Sequence, residues 1–142
     1  MMKKALQFLA MAAALLAVYG NAFAYDGSVV APSGQTLYYN YVNSTGSITI
    51  VPPSSFWTGY TEPAGALVIP DSVSHNGTMY PVTAVGNRAF DGCDGLSSVT
   101  IPQGLLSIGT WAFSVNNSPL TNLVIPDGVR DRKLCLLRHQ AH

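Results

Sequence analysis

The chain has 142 residues, 48% of them hydrophobic and only 10% charged, with seven basic side chains against seven acidic ones. That neutrality conceals an acidic body and a basic end: from Tyr25 to Val129 Arg88 is the sole Lys or Arg, against Asp26, Glu62, Asp71, Asp91, Asp94 and Asp127, while Arg130, Arg132, Lys133 and Arg138 crowd the last 13 residues. A sparsely charged acidic body excludes electrostatic capture of nucleic acid, and two cysteines, Cys93 and Cys135, exclude a disulfide-stapled scaffold.

Residues 1–24 read as a secretory signal peptide: Lys3 and Lys4, an apolar run from Ala5 to Val18, and the A-x-A site Ala22-Phe23-Ala24. The run is too short to span a bilayer, no later segment is a span, and cleavage after Ala24 leaves 118 residues, enough for one small domain. Export predicts a secreted or cell-surface location.

Residues 25–65 are expected to form an N-terminal β-hairpin cap. Tyr25 to Gly34 reads as an extended lead-in, and Gln35 to Val42 and Ser47 to Val51 read as strands joined at Asn43-Ser44-Thr45-Gly46. Ser54 to Gly65 is expected to be an irregular loop carrying Phe56, Trp57 and Tyr60 as apolar anchors. Cap packing is the default role for these aromatics; the alternative is that Tyr38, Tyr41, Trp57 and Tyr60 form a stacking platform for sugar rings.

From Ala66 the chain repeats itself. Ala66-Leu67-Val68-Ile69-Pro70, Ser98-Val99-Thr100-Ile101-Pro102 and Asn122-Leu123-Val124-Ile125-Pro126 are three versions of one phrase, and Ile101 and Ile125 stand 24 residues apart. Val85-Gly86-Asn87-Arg88-Ala89-Phe90 returns 23 residues later as Ile108-Gly109-Thr110-Trp111-Ala112-Phe113. A period in the twenties means a solenoid of stacked coils. Alternation along each phrase predicts a half-buried strand. Leu67, Val99, Leu123 and Ile69, Ile101, Ile125 should face inward, while Ala66, Ser98, Asn122 and Val68, Thr100, Val124 should form outward columns. The prolines end the strands, the Gly86 and Gly109 steps are expected to bend the backbone, and Phe90 and Phe113 should stack coil on coil. The first coil carries nine extra residues near 74–81; Asn76-Gly77 predicts a small hairpin projecting from the solenoid's edge, with His75 and Asn76 as candidate contacts.

The unit L-x-x-V-x-I-P, a short gap, I-G-x-x-A-F and the next leucine resembles the BspA-type, or treponemal-class, bacterial leucine-rich repeat over about Ala66 to Val129. The likeness extends more loosely to Ser33-Gly34-Gln35-Thr36-Leu37-Tyr38-Tyr39 and to the Asn-Gly-Thr-x-Tyr insertion. It implies a leucine-rich repeat solenoid, mostly β with irregular convex arcs, of about two and a half coils over residues 66–129. It further implies an exported, adhesin-like protein that binds a protein or host cell-surface ligand. After Val129 an I-G-x-x-A-F arc is due, but residues 130–142 form an aberrant basic tail, which predicts a truncated or out-of-frame ending and an uncapped last coil prone to self-association.

No catalytic residue and no cofactor is indicated. Cys135, His139 and His142 form C-x3-H-x2-H but lack a fourth ligand, and a Cys93/His75 pair would join a repeat position to a turn, so neither metal chemistry nor nucleophilic catalysis is assigned. The expected function is non-enzymatic protein or cell-surface interaction through the β-face residues Ser98, Thr100 and Asn122, the insertion loop, or both. The alternatives are carbohydrate binding by the aromatic N-terminal region and a non-functional fragment of a larger surface repeat protein.

Overall fold

The computed structural model describes residues 25–114 and 120–132; the expected signal peptide at 1–24 and the Cys135, His139 and His142 set lie outside them. The chain order is β1 (Gly27–Val30), β2 (Thr36–Val42), β3 (Ser47–Val51), a 3-10 turn (Ser55–Trp57), β4 (Gly65–Val68), β5 (Ser72–His75), β6 (Thr78–Val85), β7 (Leu96–Thr100), β8 (Ser107–Ile108), β9 (Asn122–Val124) and β10 (Asp131–Arg132). These strands form two sheets. β4, β7 and β9 make a parallel three-stranded sheet, while a larger one follows β1-β2-β3-β6-β8-β10 with β5 attached to β6.

The repeated phrase becomes the small sheet, in the register expected from the repeat. Ala66 lies beside Ser98 and Ser98 beside Asn122; Leu67, Val99 and Leu123 form the next row, and Val68, Thr100 and Val124 the third. Leu67 and Val99 are buried and Leu123 is half-buried, so the predicted inward face is the core face.

The convex arcs are more regular than expected. β3 of the cap pairs parallel with β6, β6 with β8, and β8 with β10, which aligns Ile50, Val85, Ile108 and Arg132 in one backbone register. Backbone pairing therefore runs past Val129, where the motif ends. Arg130 N–H donates to Leu106 O at 2.8 Å, and ladder bonds use main-chain groups that every non-proline residue owns, so the ladder outlasts the apolar pattern. Nor does the lead-in merely extend: β1 pairs antiparallel with β2, from Gly27 opposite Tyr39 to Val30 opposite Thr36.

The Asn76-Gly77 hairpin forms, with both residues left-handed at φ 52° and 83° and His75 opposite Thr78. It does not project. Its second arm is the first half of β6, a member of the large sheet, and its tip folds against the cap: Tyr41 stacks on His75 with ring centres 4.8 Å apart and leans on Tyr80 at 4.6 Å.

The anticipated ring stack exists and is longer than its repeat. Phe90 and Phe113 are fully buried and nearly parallel, 5.3 Å apart at 10°. The cap adds a third ring, since Trp57 lies over Phe90 at 6.3 Å and 18° and its indole N–H donates to Ala89 O at 3.0 Å. One expectation about the turns needs correction: Phe56 is no anchor, being 60% exposed. The bends do start at the glycine steps, where Ala89 N–H donates to Gly86 O at 3.2 Å and Ala112 N–H to Gly109 O at 3.3 Å. Their left-handed residues are Arg88 at φ 56° and Trp111 at φ 59°, while Gly86 and Gly109 sit in tight contact between coils.

Candidate interaction surface

The outward face of the small sheet is set by strand alternation alone: once Leu67, Val99 and Leu123 turn inward, their neighbours must face water. Ser98 and Asn122 are adjacent in register, and Thr100 sits between Val68 and Val124, the latter 70% exposed. Ser98, Thr100 and Asn122 line one shallow depression together with Gln103 and Val124. Thr100 also borders a second, which reaches Pro32 and Asp71 on the cap side. The three predicted β-face residues thus share one continuous surface of small polar groups and exposed methyls, with no basic side chain in its lining.

The two ends of this sheet differ. On the cap side, Gln35 Nε2 donates to Ala64 O at 2.8 Å and Ala66 O at 3.0 Å, while Val68 N–H donates to Ser33 Oγ at 2.8 Å. Two side chains thereby occupy backbone positions that a further strand would take. The segment preceding β2 is thus an edge cap built from a serine and a glutamine around Gly34, whose φ of 102° makes the turn. At the other end β9 has no further strand beside it among the described residues. An open edge at one end and a side-chain cap at the other is the arrangement that limits head-to-tail stacking of copies. The double variant Ser33→Ala, Gln35→Ala is expected to shift the protein to larger species as concentration rises, measured by sedimentation velocity. A distribution identical to wild type would show that the two side chains do not guard the edge.

Of the insertion-loop candidates, Asn76 is exposed at the turn but His75 is half-buried, its Nδ1 3.3 Å from the Tyr39 hydroxyl. Of the four rings considered as a sugar platform, Tyr38, Trp57 and Tyr60 come together and Tyr41 does not. Tyr38 and Tyr41 lie three apart on β2 and so face opposite sides: Tyr41 belongs to the His75 and Tyr80 group, and Tyr38 to a cluster with Tyr25, Trp57 and Tyr60. Trp57, 2% exposed, has no face to offer a sugar. Burial, then the Tyr60 hydrogen bond, raises the Tyr25 hydroxyl's pKa, and burial does the same for Tyr38.

Cys93 is fully buried, and burial first, with Glu62, Asp94 and Asp91 adding negative potential, pushes its thiol well above the usual range. It is a small apolar residue between coils and not a nucleophile. Among the described residues no group of three or more His, Cys, Asp or Glu side chains converges as a metal site, and no helix is long and apolar enough to cross a membrane.

Stacked parallel strands, a ladder of turns and a buried stack of rings define a leucine-rich repeat solenoid. The family model described as BspA type leucine rich repeat region matches residues 71–135, and the repeats over those residues are of that type. Similar solved structures include a leucine-rich repeat protein from Bacteroides ovatus (28% identity, TM-score 0.58, 75% of this chain and 25% of that one). Another is the Treponema pallidum leucine-rich repeat protein (28%, 0.53, 70% and 43%). A leucine rich cell surface protein from Faecalibacterium prausnitzii is 25% identical with TM-score 0.52, over 78% of this chain and 26% of that one. The chain thus spans a quarter to under half of these three relatives. No curated protein matches it by sequence.

Proposed function

We propose that this chain is an exported, non-enzymatic interaction module that engages a protein ligand on a cell surface through the outward face of β4, β7 and β9. The observation that carries this reading is the in-register face itself, where Thr100 stands between half-buried Val68 and exposed Val124 and shares a depression with Ser98 and Asn122. Solenoids present such faces as extended binding surfaces. The surface is small and polar, with Asp71 at its cap-side border as the one charged side chain in its lining, so contacts depend mainly on shape and hydrogen bonding and tolerate salt. Adhesion fits this chemistry, as does the cell-surface designation of the Faecalibacterium relative.

Labelled protein is expected to bind epithelial cells, and to lose that binding when the cells are first treated with protease. Ser98→Arg with Thr100→Arg, two exposed or half-exposed positions, should weaken binding at least about ten-fold without lowering Tm. Undiminished binding by the double variant would remove the β-face from the proposal.

A further inference from the structure

A second surface, where the chain passes from the large sheet to the small one, combines features that packing does not require. In the cap's 3-10 turn, Phe56 and Trp57 are consecutive bulky residues with left-handed backbone, φ 52° and 58°. Such conformations cost roughly 1–2 kcal/mol each. Trp57 recovers that cost by completing the ring stack; Phe56 buries little and keeps its ring 60% exposed. Beside it is Arg88, the sole Lys or Arg between Tyr25 and Val129. Its guanidinium is fixed on two sides: Nη1 donates to Asp91 Oδ2 at 3.0 Å, and Cζ sits 4.3 Å over the Trp111 ring. Asp91 engages Nη1 alone and the Arg88 side chain stays half-exposed, so the guanidinium keeps donors for a second acceptor. Asn87 is anchored likewise, Oδ1 accepting from Thr110 N–H at 2.9 Å, which leaves its Nδ2 as a donor.

Pro52, Ser54, Ser55, Phe56, Asn87 and Arg88 line a groove of about 310 Å³. Its lining holds one exposed aromatic ring, hydroxyl and amide groups, one guanidinium and no carboxylate. We propose that this groove binds a carboxylate-bearing sugar, the carboxylate on the outer edge of Arg88, the apolar face of the sugar ring on Phe56, and sugar hydroxyls on Asn87 and Ser55. A single fixed guanidinium suits one carboxylate, an exposed ring suits the C–H face of a pyranose, and the donors come from side chains instead of the strand edge that an extended acidic peptide would use. The site lies apart from the β-face and stands or falls independently of it.

The test is calorimetric titration of the full chain with galacturonate and N-acetylneuraminate, with galactose as the uncharged match and tetraglutamate as the peptide control. At least one acidic sugar is expected to bind about ten-fold or more tightly than galactose, with millimolar affinity, a gap worth about 1.4 kcal/mol. Arg88→Gln should remove the preference for the acidic sugar. Because that change also leaves Asp91 without its partner, Phe56→Ala is the second variant; it alters an exposed ring only and should weaken the acidic sugar at least about five-fold with Tm unchanged. Galactose binding as well as the acidic sugars, an unaffected Phe56→Ala, tighter binding of tetraglutamate, or no acidic-sugar binding at about 50 mM would each overturn the assignment.

Discussion

Phe90→Ala is expected to cost about 3–5 kcal/mol of unfolding free energy, a large part of what a domain of this size possesses. Phe90 has no exposed surface and is the middle ring of three, with Trp57 on one side at 6.3 Å and Phe113 on the other at 5.3 Å. Removing it creates a cavity and also breaks the two ring contacts that couple cap to repeat and repeat to repeat. In a solenoid, where each unit is held only by its neighbours, a lost interface term reduces cooperativity as well as stability. Two probes separate these effects. Tryptophan fluorescence reads Trp57 in the cap and Trp111 in a coil, while far-ultraviolet circular dichroism reads the sheets. In urea the wild-type transitions should coincide and those of Phe90→Ala should separate. Phe90→Leu, which refills much of the volume, should restore most of the stability. Coincident transitions with a loss below about 1.5 kcal/mol would mean that the stack is incidental to how the cap is held.

The repeat made much of this fold legible, and what stayed hidden follows from physics that a motif does not record. The rows Ala66/Ser98/Asn122 and Val68/Thr100/Val124 could be written from alternation because side-chain parity fixes which face is wet. Parity also separates two members of the sugar platform, since Tyr38 and Tyr41 differ by three on one strand and face opposite sides. The edge cap was not readable: Ser33 and Gln35 reach β4 across 29 to 35 residues, and a serine and glutamine around a glycine look like any turn. Trp57 was invisible as the third ring because the cap reaches the stack from a 3-10 turn without the I-G-x-x-A-F phrase. The groove of Phe56 and Arg88 joins residues 32 apart through two left-handed turns, so only the folded chain shows them side by side.

Gly109→Ala should cost about 3 kcal/mol or more, and the cause is the distance between coils and not the backbone freedom of glycine. Gly109 does not have positive φ. Its N–H donates to Val85 O at 2.8 Å, bringing two coils so close that an added Cβ would lie 2.5 Å from Asn87 N and 2.8 Å from the Gly86 carbonyl carbon. Both are main-chain atoms held by the same ladder, so no rotamer change relieves the overlap. The coils must separate, which lengthens the hydrogen bonds on either side and unseats Phe113 from Phe90. The matching position one coil earlier is roomier: a Cβ on Gly86 would meet Ile50 O at 3.1 Å, so Gly86→Ala should be milder. Gly77→Ala separates the two possible causes. Gly77 is left-handed at φ 83° with nothing within 4 Å of a new Cβ, so alanine there meets conformational strain alone, about 1 kcal/mol. The expected order of destabilisation is Gly109, then Gly86, then Gly77, measured by urea unfolding. If Gly109→Ala proves no worse than Gly77→Ala, coil spacing does not select glycine at that position. If the order holds, the glycine of the I-G step is what sets the spacing between these coils, because Gly109 is where their main chains come closest.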